Sequence, residues 1–177
     1  TQAPICGIFH YGSDLKGKCI FNTYIDEIRS VPEDLKAKRL ARSYIYGFSM
    51  GLSKIFWYEL RNGGTNKYEP EHHFGIVEVD NTLFPAYAVY KNTVKMMPDG
   101  STRPELNYDS KVKVYKASWK RPDRKVVDAY WTTQSETKVA IKKRRSTKVY
   151  DYAGNEITLS GKTLDVDNGV VYVVKRR

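Results

Sequence analysis

Residues 54–60 read KIFWYEL and residues 72–87 read HHFGIVEVDNTLFPAY, and these two stretches decide the fold class. The first stretch is short and aromatic, and its apolar side chains stand at consecutive rather than alternate positions. A strand that is covered on both faces has this pattern, which is usual in a parallel sheet. The run ends at Asn62-Gly63-Gly64, too early for a buried helix, so we predict a strand over residues 54–60.

A helix is predicted on each side of this strand. Upstream, Ser30, Pro32 and Glu33 have the spacing of a helix start. The apolar face that follows consists of Ala37, Ala41, Tyr44, Phe48 and Leu52. Downstream, Pro85 begins a second helix whose apolar face consists of Ala86, Val89, Tyr90, Thr93, Met96 and Met97, and Pro98 stops it. With a strand end predicted in the first residues, residues 1–97 give a βαβα pattern, the unit of parallel α/β folds.

Beyond residue 108 the apolar period changes to two, which predicts short antiparallel strands separated by Gly and Asn turns. The predicted strands are Lys111–Lys120, Lys125–Thr133, Lys138–Lys143, Lys148–Tyr152, Glu156–Leu159, Thr163–Val166 and Val170–Lys175. This spacing favours a small antiparallel β-sandwich. We therefore predict an α/β part over 1–99, a linker over 100–107 and a sandwich over 108–177.

The amino-acid composition and net charge exclude only a few classes of protein and partner. The chain has 177 residues, 13% of them aromatic, so it has enough apolar material for a packed core. Its net charge of +10 is concentrated at residues 142–145 and 175–177, in no nucleic-acid-binding motif, so nucleic acid is not a predicted partner. No apolar run approaches the roughly 20 residues that cross a bilayer, so no membrane partner is predicted.

Cys6 and Cys19 are the only cysteines, and they either form a disulfide in an exported protein or stay free thiols. Without a CxxC pair or a His at metal-ligand spacing, no metal site is predicted. We also predict no cofactor.

The order of these motifs resembles the C-terminal end of a retaining (β/α)8-barrel glycoside hydrolase of the two-glutamate clan, similar to β-xylosidases and cellulases. ARSYIYGFSMGLSKIFWYELRN (41–62) resembles the seventh helix and eighth strand, and HHFGIVEVDNTLFPAYAVYKNTV (72–94) resembles the return segment and eighth helix. The tail from AYWTTQSETKVAIKK (129–143) onward resembles the strands of the accessory sandwich. The resemblance implies the last two βα units of a TIM-type barrel followed by a sandwich. It also implies a secreted or periplasmic location.

The resemblance implies a set of site residues at the carboxyl ends of the barrel strands, where active sites lie. Trp57 would form the floor of a sugar subsite, because an indole face stacks on the apolar face of a pyranose; the alternative is a core Trp57. Glu59 lies two residues on, on the same side of a strand, and would bind a sugar hydroxyl. His72 and His73, in the loop above strand eight, would contact the ligand; the alternative is exposed loop surface.

The catalytic position is chemically altered. Gln2 stands where the family places the glutamate nucleophile, and an uncharged amide cannot attack an anomeric carbon. Either the residue was changed to trap a substrate, or the copy is degenerate, or the first residues align differently. The acid/base residue of the family would precede residue 1.

The sequence therefore predicts a portion of a glycoside hydrolase that acts on β-linked poly- or oligosaccharide and is inactive alone. Its expected partners are carbohydrate and an N-terminal barrel portion, in the same or a separate chain. The alternative is a non-catalytic carbohydrate-binding or adaptor module with a basic sandwich. In that alternative the exposed aromatic residues would be Trp119, Tyr130 and Trp131.

Overall fold

Two helices lie in the first part of the chain in the computed structural model, which describes residues 33–66, 69–142, 145–159 and 161–176. Helix α1 spans Glu33–Ser49 and helix α2 spans Pro85–Met96. Both were predicted, because their apolar residues recur at helical spacing. They pack on each other through the edge-to-face pair Tyr44–Tyr90, whose ring centroids are 5.7 Å apart.

The ends of α1 differ in part from the prediction. Leu52 was placed on its apolar face, but the helix stops at Ser49 and Leu52 is 55% exposed. The reason is Gly51, whose φ of +94° ends the helical backbone. Ser30 and Pro32, which were predicted to begin α1, lie outside the described residues.

The predicted strand over residues 54–60 is wrong in two respects. The segment forms no ladder, although its side chains alternate between exposed and half-buried. Its hydrogen bonds run to residues 75–77: Ile76 and Val77 donate to the carbonyl of Leu60, and Arg61 and Val77 form one parallel bridge. It is also not covered on both faces. Phe56, Tyr58 and Leu60 are exposed, whereas the alternate side chains are half-buried.

The rest of the chain forms two antiparallel sheets. The strands are β1 (Glu105–Asp109), β2 (Val114–Lys120), β3 (Lys125–Thr132), β4 (Thr137–Ala140), β5 (Lys148–Tyr150), β6 (Thr163–Val166) and β7 (Val171–Arg176). The larger sheet has the order β1-β2-β3-β7-β5, and β4 pairs with β6. Strand β1 was missed; it begins in the predicted linker and ends in the predicted sandwich. The predicted strand Glu156–Leu159 forms no ladder and makes the bridge Tyr150↔Glu156.

The larger sheet is covered on both faces. One face shares an apolar core with α1 and α2, and Trp119 of β2 donates from Nε1 to the carbonyl of Met96 at 2.9 Å. The other face packs on the β4–β6 pair through residues such as Val173 and Leu164. The described residues thus combine helices with antiparallel sheets, and no closed barrel occurs among them. The predicted barrel-plus-sandwich composition and its boundaries stay predictions.

Neither of the helices in the described ranges is long and apolar enough to cross a membrane.

Candidate functional site

The extended segment that follows α1 presents Trp57 toward the loop above it. The indole is half-buried, and its Nε1 donates a hydrogen bond to the carbonyl of Phe74 at 3.0 Å. Ile55 and Glu59 are half-buried on the same side of the segment. The hydrogen bond fixes the ring relative to the loop, so Trp57 is neither a sealed core residue nor a freely rotating surface residue.

Asn62 anchors the loop that connects residue 61 to residue 75. Its side chain is 5% exposed; Nδ2 donates to Oε2 of Glu78 at 2.8 Å, and Oδ1 accepts from the backbone N–H of Gly75 at 2.8 Å. No residue with a side chain fits at position 75, because a Cβ on Gly75 would be 2.4 Å from the backbone nitrogen of Asn62. The buried amide of Asn62 therefore adds to the backbone hydrogen bonds that hold the two ends of the loop together.

The two histidines that were predicted for the site, His72 and His73, form hydrogen bonds within this loop. They lie in a 3-10 helix, Pro70–His73, and both bind the backbone of Asn66. Nδ1 of His72 accepts the N–H of Asn66 at 3.0 Å, and Nε2 of His73 lies 3.1 Å from the carbonyl of the same residue. Because an accepting nitrogen carries no proton, the neutral ring of His72 carries its proton on Nε2 and can donate there.

Glu59 and His72 both lie close to Gly63. A Cβ placed on Gly63 would be 3.7 Å from Oε1 of Glu59 and 3.7 Å from Cδ2 of His72. Oε1 of Glu59 is buried and has no hydrogen-bond partner among the described residues. A buried acceptor without a donor costs roughly 1–3 kcal/mol, so the position of this oxygen has a stability cost.

The structure thus gathers four of the predicted site residues, Trp57, Glu59, His72 and His73, around one loop. Gln2, the predicted catalytic position, lies outside the described residues. Asn62, Gly75 and Glu78, which shape the loop, were missed. The Asn-Gly-Gly and Phe-Gly pairs in the sequence signal turns there, but not the contact between them.

The aromatic residues of the alternative module are not exposed. Trp119, Tyr130 and Trp131 are 2%, 6% and 3% exposed, because they pack in the cores on the two faces of the larger sheet. That part of the alternative prediction is wrong. In the described ranges, no group of three or more His, Cys, Asp or Glu side chains is placed to hold a metal ion.

The comparisons with known proteins identify the fold. No family model and no curated protein matches the chain. Among solved structures, it is similar to a family 39 glycoside hydrolase from the gut symbiont Bacteroides cellulosilyticus WH2. The TM-score is 0.70 at 20% sequence identity, over 83% of this chain and 31% of that one. A family 30 endoxylanase from Clostridium papyrosolvens C71 aligns with a TM-score of 0.41 at 15% identity, over 59% of this chain and 31% of that one.

The first of these structures confirms the resemblance predicted from the sequence, at the level of the fold. The chain spans about a third of the length of each of these two proteins.

Proposed function

We propose that this chain is the C-terminal portion of a glycoside hydrolase that acts on β-linked poly- or oligosaccharide by a retaining mechanism with two carboxyl groups. The observation that carries the proposal is the fold likeness to a family 39 glycoside hydrolase over 83% of this chain. The grouping of Trp57, Glu59 and His72 around one loop supports it.

In this proposal Trp57 is the floor of a sugar subsite. The hydrogen bond from its Nε1 to the Phe74 carbonyl holds the indole in one orientation, so little rotational entropy is lost when a sugar stacks on it. A pyranose presents an apolar C–H face that matches the flat indole. Glu59 accepts a hydrogen bond from a sugar hydroxyl and His72 donates one from Nε2, which gives the subsite its polarity.

The reacting carboxyl groups come from elsewhere. A retaining mechanism needs two of them roughly 5 Å apart, one as nucleophile and one as acid/base. In this proposal Gln2 occupies the nucleophile position as an inert amide, and the acid/base residue belongs to the upstream barrel portion. The chain alone is therefore inactive.

An exposed apolar row supports the partner part of the proposal. Phe56, Tyr58 and Leu60 are 85%, 53% and 61% exposed and alternate along one extended segment. Contiguous exposed apolar side chains mark interaction surfaces more often than ordinary surface. We propose that the upstream barrel portion covers this row and places its strands beside residues 54–60.

Export from the cell, predicted from the resemblance, remains part of the proposal.

Titration of the 15N-labelled chain with neutral xylo- and cello-oligosaccharides tests the sugar subsite by NMR. The chain has three indole N–H groups, at Trp57, Trp119 and Trp131. We expect the Trp57 signal, assigned from its loss in Trp57→Phe, to shift with sugar concentration. The buried Trp119 and Trp131 are internal controls and stay unshifted. A Trp57 signal that is unmoved by every neutral sugar contradicts the subsite.

A further inference from the structure

A group of cations that the proposed function does not use lies toward one end of the larger sheet. It comprises Lys116 and Lys120 of β2, Arg121 and Arg124 of the β2–β3 turn, Lys125 of β3, and Lys175 and Arg176 of β7. We refer to these seven residues as the basic end. Lys116, Lys120 and Lys175 lie on one face of the sheet, whereas Arg121, Lys125 and Arg176 belong to the other face, so the positive charge surrounds the end of the sheet.

The strand register brings like charges side by side. Lys125 stands directly opposite Arg176, and Lys120 and Lys175 flank Val126 on either side. Like charges that face each other across a sheet destabilise it. Neighbouring strands are roughly 5 Å apart, so the backbones of Lys125 and Arg176 are about 5 Å apart, and those of Lys120 and Lys175 are about 10 Å apart.

The acidic residues nearby do not balance this charge. Asp123 is shared by Arg121 and Lys125, at 3.1 and 2.8 Å, and Asp128 is shared by Lys116 and Lys175, at 3.6 and 2.5 Å. Each carboxylate thus serves two cations. The strands β2, β3 and β7 and the β2–β3 turn contain no acidic residue besides Asp123 and Asp128 in their described positions.

Three of the cations are fully available to a ligand. Lys120, Arg124 and Arg176 are exposed, and Nε of Arg121 is buried with no acceptor among the described residues. The surface therefore has unbalanced positive charge, and Lys120, Arg124 and Arg176 are the accessible cations on it.

We propose that the basic end binds an anionic polysaccharide, a polymer whose sugar units carry carboxylates. Several exposed cations grouped at the ends of neighbouring strands suit a polymer that carries many negative charges. None of the aromatic side chains of β2, β3 or β7 is exposed beside them: Trp119 and Tyr172 are 2% and 0% exposed. The surface therefore lacks the stacking platforms with which proteins bind single-stranded nucleic acid. The choice of a polysaccharide rests on the proposed function, whereas the anion site rests on the basic end itself.

Affinity electrophoresis and calorimetry with polygalacturonate test the proposal at low ionic strength. The test variant is the triple substitution Lys120→Glu, Arg124→Glu and Arg176→Glu. The matched control reverses three exposed cations elsewhere, with Lys111→Glu, Lys142→Glu and Arg145→Glu, so both proteins have the same net charge. A Gln version of the test triple separates loss of a cation from introduced repulsion.

We expect the native chain to bind polygalacturonate and to release it at high salt. The affinity of the test triple should be at least about tenfold lower than that of the native chain. The affinity of the Gln version should lie between these two. The control triple should keep the native affinity within about twofold. An equal loss in both triples would overturn the proposal, because net charge alone would then explain binding.

Two further arms separate the possible sources of binding. A single-stranded oligonucleotide that binds more tightly than polygalacturonate at equal salt would make nucleic acid the ligand and overturn the proposal. Neutral oligosaccharides should still shift the Trp57 signal in the test triple. If the native chain does not bind neutral sugars but binds polygalacturonate at the basic end, the proposed function is contradicted and the anion site is still supported.

Discussion

At Gly75 a single missing methyl group decides how the candidate site is built. A Cβ there would stand 2.4 Å from the backbone nitrogen and 2.6 Å from Oδ1 of Asn62, closer than packed atoms come. We therefore predict that Gly75→Ala lowers the free energy of unfolding by about 2 kcal/mol or more, since it clashes with backbone and breaks a buried hydrogen bond. Urea denaturation measures the loss. Trp57 fluorescence should change as well, because Phe74 holds the indole.

The matched control is Gly63→Ala, in the same loop. The nearest atoms to its Cβ are at 3.6–3.7 Å, an ordinary contact distance. This variant should keep the native stability within about 0.5 kcal/mol. Equal stability of the two variants would show that the close approach of residues 62 and 75 does not hold the loop.

Asp128 gives a prediction about pH. Burial alone would raise the pKa of Asp128, but hydrogen bonds from Lys175 and Ser118 outweigh it and hold the pKa below its usual range. A carboxyl whose pKa is lower in the folded state stabilises the fold above its unfolded pKa, near 3.9, and stops doing so as pH falls through the folded pKa. We expect Asp128→Asn to cost about 1–3 kcal/mol at pH 7 and progressively less as the pH falls below about 4.

Denaturant unfolding across this pH range measures the effect. Asp165→Asn is the control, because Asp165 pairs with Lys138 at the surface and both side chains are mostly exposed. Its cost should stay below about 0.5 kcal/mol at every pH. An Asp128→Asn cost that does not change with pH would contradict the proposed role of the charged carboxylate.

At the scale of elements, a buried indole hydrogen bond joins the second helix to the sheet, beside the bond between Thr93 and Tyr172. Nε1 of Trp119 in β2 donates to the carbonyl of Met96, the last residue of α2. Trp119→Phe removes this donor and leaves the buried carbonyl without it, so we expect a loss of about 2–4 kcal/mol in unfolding free energy. Trp131→Phe, at a second buried indole, controls for the lost volume. If both substitutions cost the same, the hydrogen bond contributes nothing beyond packing.

How far the elements could be predicted depends on whether their stabilising contacts are local. α1 and α2 followed from apolar spacing and from Pro85, since these signals lie within each helix. β1 was missed because ELNYD has little apolar alternation and follows Pro104, and its stability comes from pairing with β2. The extended segment 54–60 was taken for a doubly covered strand because its composition carries no information about which neighbours are present.

The candidate site was predicted in its residues but not in its geometry. The aromatic run singled out Trp57, and the resemblance added Glu59, His72 and His73. No pattern in the sequence indicates that Asn62 bridges Gly75 and Glu78, since that contact spans 13–16 positions of irregular loop. Likewise, the binding of both histidines to Asn66 depends on the path of the loop and not on their spacing.

At the scale of the whole molecule, the exposed row of Phe56, Tyr58 and Leu60 should make the isolated chain associate with itself. Burial of these side chains between copies would be favourable by the hydrophobic effect. We predict concentration-dependent oligomers in sedimentation velocity, and mostly monomer for Phe56→Ser combined with Leu60→Ser. A native chain that stays monomeric at high concentration would argue against a covering partner.

The central claim is that this chain completes a glycoside hydrolase, and turnover of aryl β-glycosides by the chain joined to an upstream barrel portion tests it most directly. We predict no turnover by the chain alone and little by the joined protein with Gln2. Gln2→Glu in the joined protein should raise turnover by several orders of magnitude, since it supplies a carboxylate nucleophile. Addition of Trp57→Ala should then remove most of that gain. Turnover by the isolated chain, or a joined Gln2→Glu protein that is inactive on every β-glycoside tried, would contradict the account.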